Sequence, residues 1–191
     1  MSASFVRLVL APVADIESAA EVLGSLGFTR HSAPAADADK PAEGTWLSAD
    51  AATRVDCAKD DLIDISYIDV CGVNAPDLAE TIQSQIPMDS IPQLLTRAIT
   101  DRGTDALIDI LYRTAVVAGA TYDPQAFALM RRGLNDPHPI IRRASLVAVS
   151  ITGWEEFVPV LDEISRQDPE GEVRDQAARV RDGLKPGAGN H

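Results

Sequence analysis

The chain has 191 residues, 46% of them apolar, which is enough to bury a core in one large domain or two small ones. No apolar run approaches the roughly 18 residues a membrane span needs, and the N-terminus lacks the pattern of a signal peptide, so a soluble cytoplasmic protein without membrane contact is expected. The net charge of −12 is uneven, with 5 Lys and Arg against 15 Asp and Glu in residues 1–89 and 12 against 14 in residues 90–191; an acidic surface repels phosphate backbones and argues against nucleic acid as a partner.

Phe5 to Leu10 is a β-branched, apolar run that stops before Pro12, and it predicts a strand. Asp15 can then cap a helix whose apolar positions Ile16, Ala19, Ala20, Val22, Leu23 and Leu26 recur at helical spacing, with Gly27 ending it. Residues 32–44 are small, polar and interrupted by proline, the composition of an exposed loop. Short strands are expected at Thr45–Leu47 and Arg54–Cys57. A longer one is expected at Leu62–Cys71, where Ile63, Ile65, Tyr67 and Asp69 alternate with Asp64, Ser66, Ile68 and Val70. Strand, helix and then two or three strands describe a small sheet with a helix on one face, and Asn74-Ala-Pro76 marks the exit from it. Cys57 and Cys71 fit neither a redox pair nor a zinc site and read as buried free thiols.

From Asp77 onward the apolar period is 3.6, predicting helices near 77–85, 90–101, 104–118, 123–134, 138–151, 154–166 and 171–183, with short connections that make neighbours antiparallel. Within them Asp136-Pro137 followed by Arg142 recurs as Asp168-Pro169 followed by Arg174, an offset of 32 residues. Asp and Pro suit the opening of a helix, because the carboxylate satisfies free amides and proline sits well in the first turn. Phe127, Leu129, Met130 and Leu134 upstream have counterparts in Pro159, Leu161 and Ile164, so each unit pairs two helices and needs its neighbours to bury its apolar stripe.

This arrangement resembles the HEAT-repeat family, specifically over residues 123–183 and faintly over 90–122. The resemblance implies that the turn Asp and the helix Arg form ladders between successive repeats, which gives Asp136, Pro137, Arg142, Asp168, Pro169 and Arg174 a structural role. It also implies a curved surface that binds proteins. The expected organisation is α+β: an acidic βαβββ sheet domain at 1–75, a connecting helix at 76–89, a HEAT-like helical stack at 90–184 and a fraying tail at 185–191.

Other constellations carry less chemistry. Arg131-Arg132 and Arg142-Arg143 form the main basic concentration and could hold phosphate or carboxylate, or could pair with Asp136, Glu155 and Glu156. With Trp154, the residues Arg131, Arg132 and Arg143 are the candidate interface, although packing between repeats is the first reading of the tryptophan. Asp60, Asp61, Asp64 and Asp69 are acidic enough for a divalent cation, but alternation splits Asp64 from Asp69 and a solvated face is expected. His31 and His138 have no Ser, Cys or paired carboxylate at a triad spacing, and His191 in the tail is a poor metal ligand. No catalytic, cofactor-binding or metal-binding set is expected.

Val13 to Phe28, following the first strand, is similar to the opening of the vicinal-oxygen-chelate family, the glyoxalase and bleomycin-resistance group, over about residues 4–72. That resemblance implies a βαβββ module paired with a second one around a cavity, although Leu8 stands near the position of the family's strand-borne metal ligand and cannot bind a metal. The leading expectation is a non-enzymatic scaffold, adaptor or inhibitor that docks another protein, basic in charge if the acidic part takes part. The alternative is a small-molecule binding or resistance protein whose pocket forms in a homodimer through the N-terminal sheet.

Overall fold

The computed structural model describes residues 4–31, 42–101 and 103–184. Most of the expected loop at 32–44, together with the expected tail at 185–191 and His191, lies outside the described residues. The chain divides into two compact units, residues 1–89 and 90–191.

The first unit contains β1 (Ser4–Val9), α1 (Ile16–Ser25), β2 (Thr29–His31), β3 (Ala42–Leu47), β4 (Thr53–Asp60), β5 (Ile65–Gly72) and α2 (Ala75–Gln83). The sheet is antiparallel with strand order β1-β5-β4-β3-β2, so the first strand lies beside the last. Pairing sets Val6 opposite Val70 and Leu8 opposite Ile68, and continues through Val55 and Cys57 to Trp46. These side chains form one apolar core with Ala19 and Leu23 of α1 and Ala75, Ala79 and Ile82 of α2. The Asp15 carboxylate caps α1 by accepting from the Ser18 amide at 2.8 Å. The segment after α2 covers the outer edge of β1, where the Asp89 amide donates to the Val9 carbonyl at 2.8 Å and Leu10 bridges Met88.

The sheet has one strand more than the sequence pattern shows. The extra strand is β2, three exposed residues too short to display alternation. The expected strand Leu62–Cys71 is cut back to Ile65–Gly72, because Leu62 and Asp64 lie in the β4–β5 turn and Asp64 takes a φ of +54°. Residues 42–44, expected as loop, begin β3.

The second unit is a run of helices: α3 (Ile91–Thr100), α4 (Thr104–Ala118), α5 (Pro124–Leu134), α6 (Pro139–Thr152), α7 (Val158–Gln167) and α8 (Gly171–Leu184), with a 3-10 turn at Glu155–Phe157. They form three antiparallel pairs, α3 with α4, α5 with α6 and α7 with α8, and the second helices α4, α6 and α8 pack on one another in a row. Local chemistry fixes the ends. Asp123 accepts from the amides of Gln125 and Ala126, both at 2.8 Å, ahead of Pro124, and Gly153 closes α6 with a φ of +69°. One continuous core runs through the stack, from Leu94 and Ile110 to Leu161 and Ala177.

Candidate protein-interaction surface

The repeat turns are the most highly organised polar feature of the helical unit. Arg142, one turn into α6, is 7% exposed and crosses to the next repeat, where Nε and Nη2 donate to the two carboxylate oxygens of Asp168, each at 2.8 Å. Its Nη1 donates to the carbonyls of Asp136 (2.9 Å) and Pro137 (3.1 Å), so it also holds the turn that precedes its own helix. Asp168 in turn accepts from the Glu170 amide at 2.9 Å and so fixes the start of α8. Burial raises the Asp168 carboxyl pKa, but the Arg142 hydrogen bonds, the Glu170 amide and the nearby guanidinium charges outweigh it and hold the group below the usual carboxylate range. Arg142 itself is pushed up, chiefly by its hydrogen bonds to Asp168.

The sequence suggested Asp136, Glu155 and Glu156 as partners for the paired arginines, and the structure supplies others. Arg142 takes Asp168, while the exposed Arg143 bridges Glu172 at 2.7 Å. The reason is the stacking: α6 lies against α8, which brings carboxylates 26 and 29 positions away to the two guanidinium groups, while the adjoining turn offers Arg142 only its backbone carbonyls. Asp136 instead caps its own turn through the His138 amide at 2.8 Å. Arg131 and Arg132 are exposed and form no ion pair among the described residues.

Trp154 is 3% exposed and belongs to the core rather than to the surface. Its ring meets Tyr122 edge-on at 5.2 Å and stacks parallel to Phe157 at 6.1 Å, and Phe127 completes the cluster 4.4 Å from Phe157. The indole N–H finds no acceptor there.

The row α4–α6–α8 leaves an apolar stripe uncovered. On α6, residues 140, 147 and 151 share one side of the helix, and Ile140 and Ile151 are 52% and 37% exposed. Between the helices lies a groove of about 240 Å³ lined by Ile108, Tyr112, Ile140, Arg143, Ala144, Val147 and Gln176. A second groove of about 400 Å³ runs between the two repeat turns and is lined by Arg131, Asp136, Glu163, Gln167 and the Arg142–Asp168 pair among others. The first is apolar with a cationic rim; the second is polar, with both signs of charge.

In the first unit the four aspartates of the sequence do not converge. Asp64 bridges Lys59 at 2.6 Å, Asp60 accepts from the Leu62 amide at 2.9 Å, and Asp69 forms a two-bond pair with Arg7 at 2.6–2.7 Å. Among the described residues no group of three or more His, Cys, Asp or Glu is placed to hold a metal. Arg7 also stacks over Tyr67 at 4.2 Å, which occupies this side of the sheet with closed contacts. Cys57 is buried, Cys71 is half-buried, and both are free thiols. His31 lies at the end of β2 and His138 at the exposed start of α6.

No helix among the described residues is long and apolar enough to cross a membrane. Comparison with curated proteins and with solved structures finds no match for this chain. Residues 91–180 do match the sequence profile of HEAT repeats, which takes in α3 to α7 and most of α8. The stacked pairs, the Asp-Pro turns and the Arg142–Asp168 bridge between successive units agree with that match: the helical half of this chain is a HEAT-repeat unit.

Proposed function

We propose that this chain is a non-enzymatic protein-interaction module, a scaffold, adaptor or inhibitor that holds a partner protein on the row formed by α4, α6 and α8. HEAT repeats generally serve as protein-interaction surfaces, and this one offers a row of helices rather than an enclosed pocket. The observation that carries the reading is the stripe of Ile140, Val147 and Ile151 on the middle helix, beside a groove that is already formed. Apolar side chains so arranged fit the apolar face of a partner element, while Arg143 at the rim sets orientation.

The acidic first unit supports a basic partner, since its excess of ten negative charges (15 against 5 over residues 1–89) steers cations toward the complex. Two cysteines kept as thiols fit a reducing compartment, which supports the cytoplasm as the site of action.

The test is affinity capture with the full chain and with the Ile140→Glu/Val147→Glu variant, checked first for an unchanged melting curve. A protein retained in stoichiometric amount by the native chain and lost by the variant supports the surface. Equal retention by both places the partner elsewhere and removes this row from consideration.

A further inference from the structure

We propose that Arg174, at the far end of the helical stack, is a docking point for an aspartate side chain presented by a helix-opening turn of a partner protein. The argument comes from the chain's own repeat. Arg142 and Arg174 stand 32 residues apart in equivalent turns and make the same backbone contacts: Arg142 Nη1 donates to the carbonyls of Asp136 and Pro137, and Arg174 Nη1 donates to those of Asp168 (2.6 Å) and Pro169 (3.2 Å). The difference lies on the other edge of the guanidinium. For Arg142 that edge, Nε and Nη2, is filled by the carboxylate of Asp168 with two bonds of 2.8 Å. For Arg174 the same edge meets no acceptor among the described residues.

The half-buried Arg174 is therefore a carboxylate receptor already set in position. Two carbonyls hold the guanidinium plane, so little side-chain freedom remains to be lost on binding, and the open edge has the fork geometry that takes a carboxylate with two parallel bonds. The occupant of the equivalent edge in the preceding repeat is the aspartate of an Asp-Pro turn, which specifies the chemistry sought here.

The surroundings say what kind of contact it is. Along α6, Leu146 and Val149 follow Arg142 at helical spacing and are buried, whereas the matching positions after Arg174 on α8 are Ala178 and Arg181. An alanine and an arginine already bridged to Asp162 replace a buried aliphatic pair there, so this end offers little apolar area and suits a reversible, salt-sensitive partner rather than one more permanently stacked repeat. This site lies apart from the α4–α6–α8 groove and stands or falls independently of it.

The experiment is side-chain nitrogen–proton NMR of the arginine Nε–Hε groups in the full chain, titrated with the peptide acetyl-Gln-Asp-Pro-Glu-amide, which copies residues 167–170. The same peptide with Asn in place of Asp is the control, and Arg174→Lys assigns the signal, with through-bond assignment as the alternative if that variant is unstable. The expected result is a saturable shift of the Arg174 signal with the Asp peptide alone, with Arg142 unmoved because its edge is filled. A shift no larger than that of the exposed Arg179, or an equal response to the Asn peptide, overturns the proposal. A shift that follows protein concentration without peptide makes the donor a second copy of this chain, and overturns the assignment to a separate partner.

Discussion

Arg142 and Arg143 are adjacent on one helix and each bridges a carboxylate of the last repeat, Asp168 in the turn before α8 and Glu172 in α8, yet removing them should have very different consequences. The Arg142 and Asp168 side chains are 8% and 5% exposed, against 53% and 79% for Arg143 and Glu172. Arg142→Ala leaves a buried carboxylate with the Glu170 amide as its remaining hydrogen-bond donor, and breaking a buried pair in this way costs about 3–5 kcal/mol. Arg143→Ala removes an exposed pair worth about 0.2–1 kcal/mol. For a unit of about 100 residues, with an unfolding entropy near 0.2 kcal/mol per kelvin, these costs correspond to melting-point losses of roughly 14–24 °C and at most about 5 °C. Urea titration followed by far-UV circular dichroism measures both costs, and the double variant Arg142→Ala/Asp168→Ala closes the cycle. Its cost should fall well below the sum of the single variants, because removing both partners strands no charge. Equal costs for Arg142→Ala and Arg143→Ala would refute the argument that the ladder organises the stack.

The same pair predicts an acid limb. Because Asp168 has a lowered carboxyl pKa in the folded chain, its contribution is complete above the unfolded value of about 3.9 and fades as pH falls through the folded one; Asp168→Asn should flatten stability against pH in that window. Gly133→Ala should destabilise by about 1–3 kcal/mol in a thermal melt, since a Cβ there would collide with Ser145 Oγ and press on Leu111 at 3.2–3.3 Å; Ser145→Gly should recover part of the loss. Asp123→Ala removes both amide contacts at the start of α5 and should cost about 1 kcal/mol by urea titration, with the helix content of the folded chain unchanged.

What was legible in the sequence follows from how many residues carry each signal. The helical half has a 3.6 period sustained over many turns and two copies of the Asp-Pro-Arg pattern, so its helices and its repeat class emerged with boundaries shifted by at most a few residues. In the sheet, β2 has three residues and no pattern to show. The apolar run through Leu62 and Ile63 continued past the true start of β5 because a turn can expose such residues: Leu62 is 95% exposed. The partner of Arg142 was legible through the repeat and not through proximity. Asp136 is nearer in sequence, but the bridge runs between repeats, and the clue was present in the register itself, since Asp168 is Asp136 one repeat later. The stripe on α6 could not be picked out beforehand, because that helix is apolar on most sides and only packing decides which side stays uncovered.

The distribution of charge in the helical unit separates architecture from recognition. Arg97, Arg142 and Arg181 are engaged by Asp109, Asp168 and Asp162 at buried or half-buried positions, where each holds two helices or turns in register. Arg131, Arg132 and Arg179 are exposed and have no carboxylate partner among the described residues, so they spend nothing on the fold. An exposed cation of that kind acts mainly on the rate at which a charged partner arrives, and its effect weakens with salt. A buried, bridged arginine acts on the stability of the stack, so that its loss weakens binding only by unfolding the surface. Charge reversal at Arg131, Arg132 or Arg179 that lowers association without moving the melting point therefore reports on recognition, whereas any variant of Arg142 confounds the two.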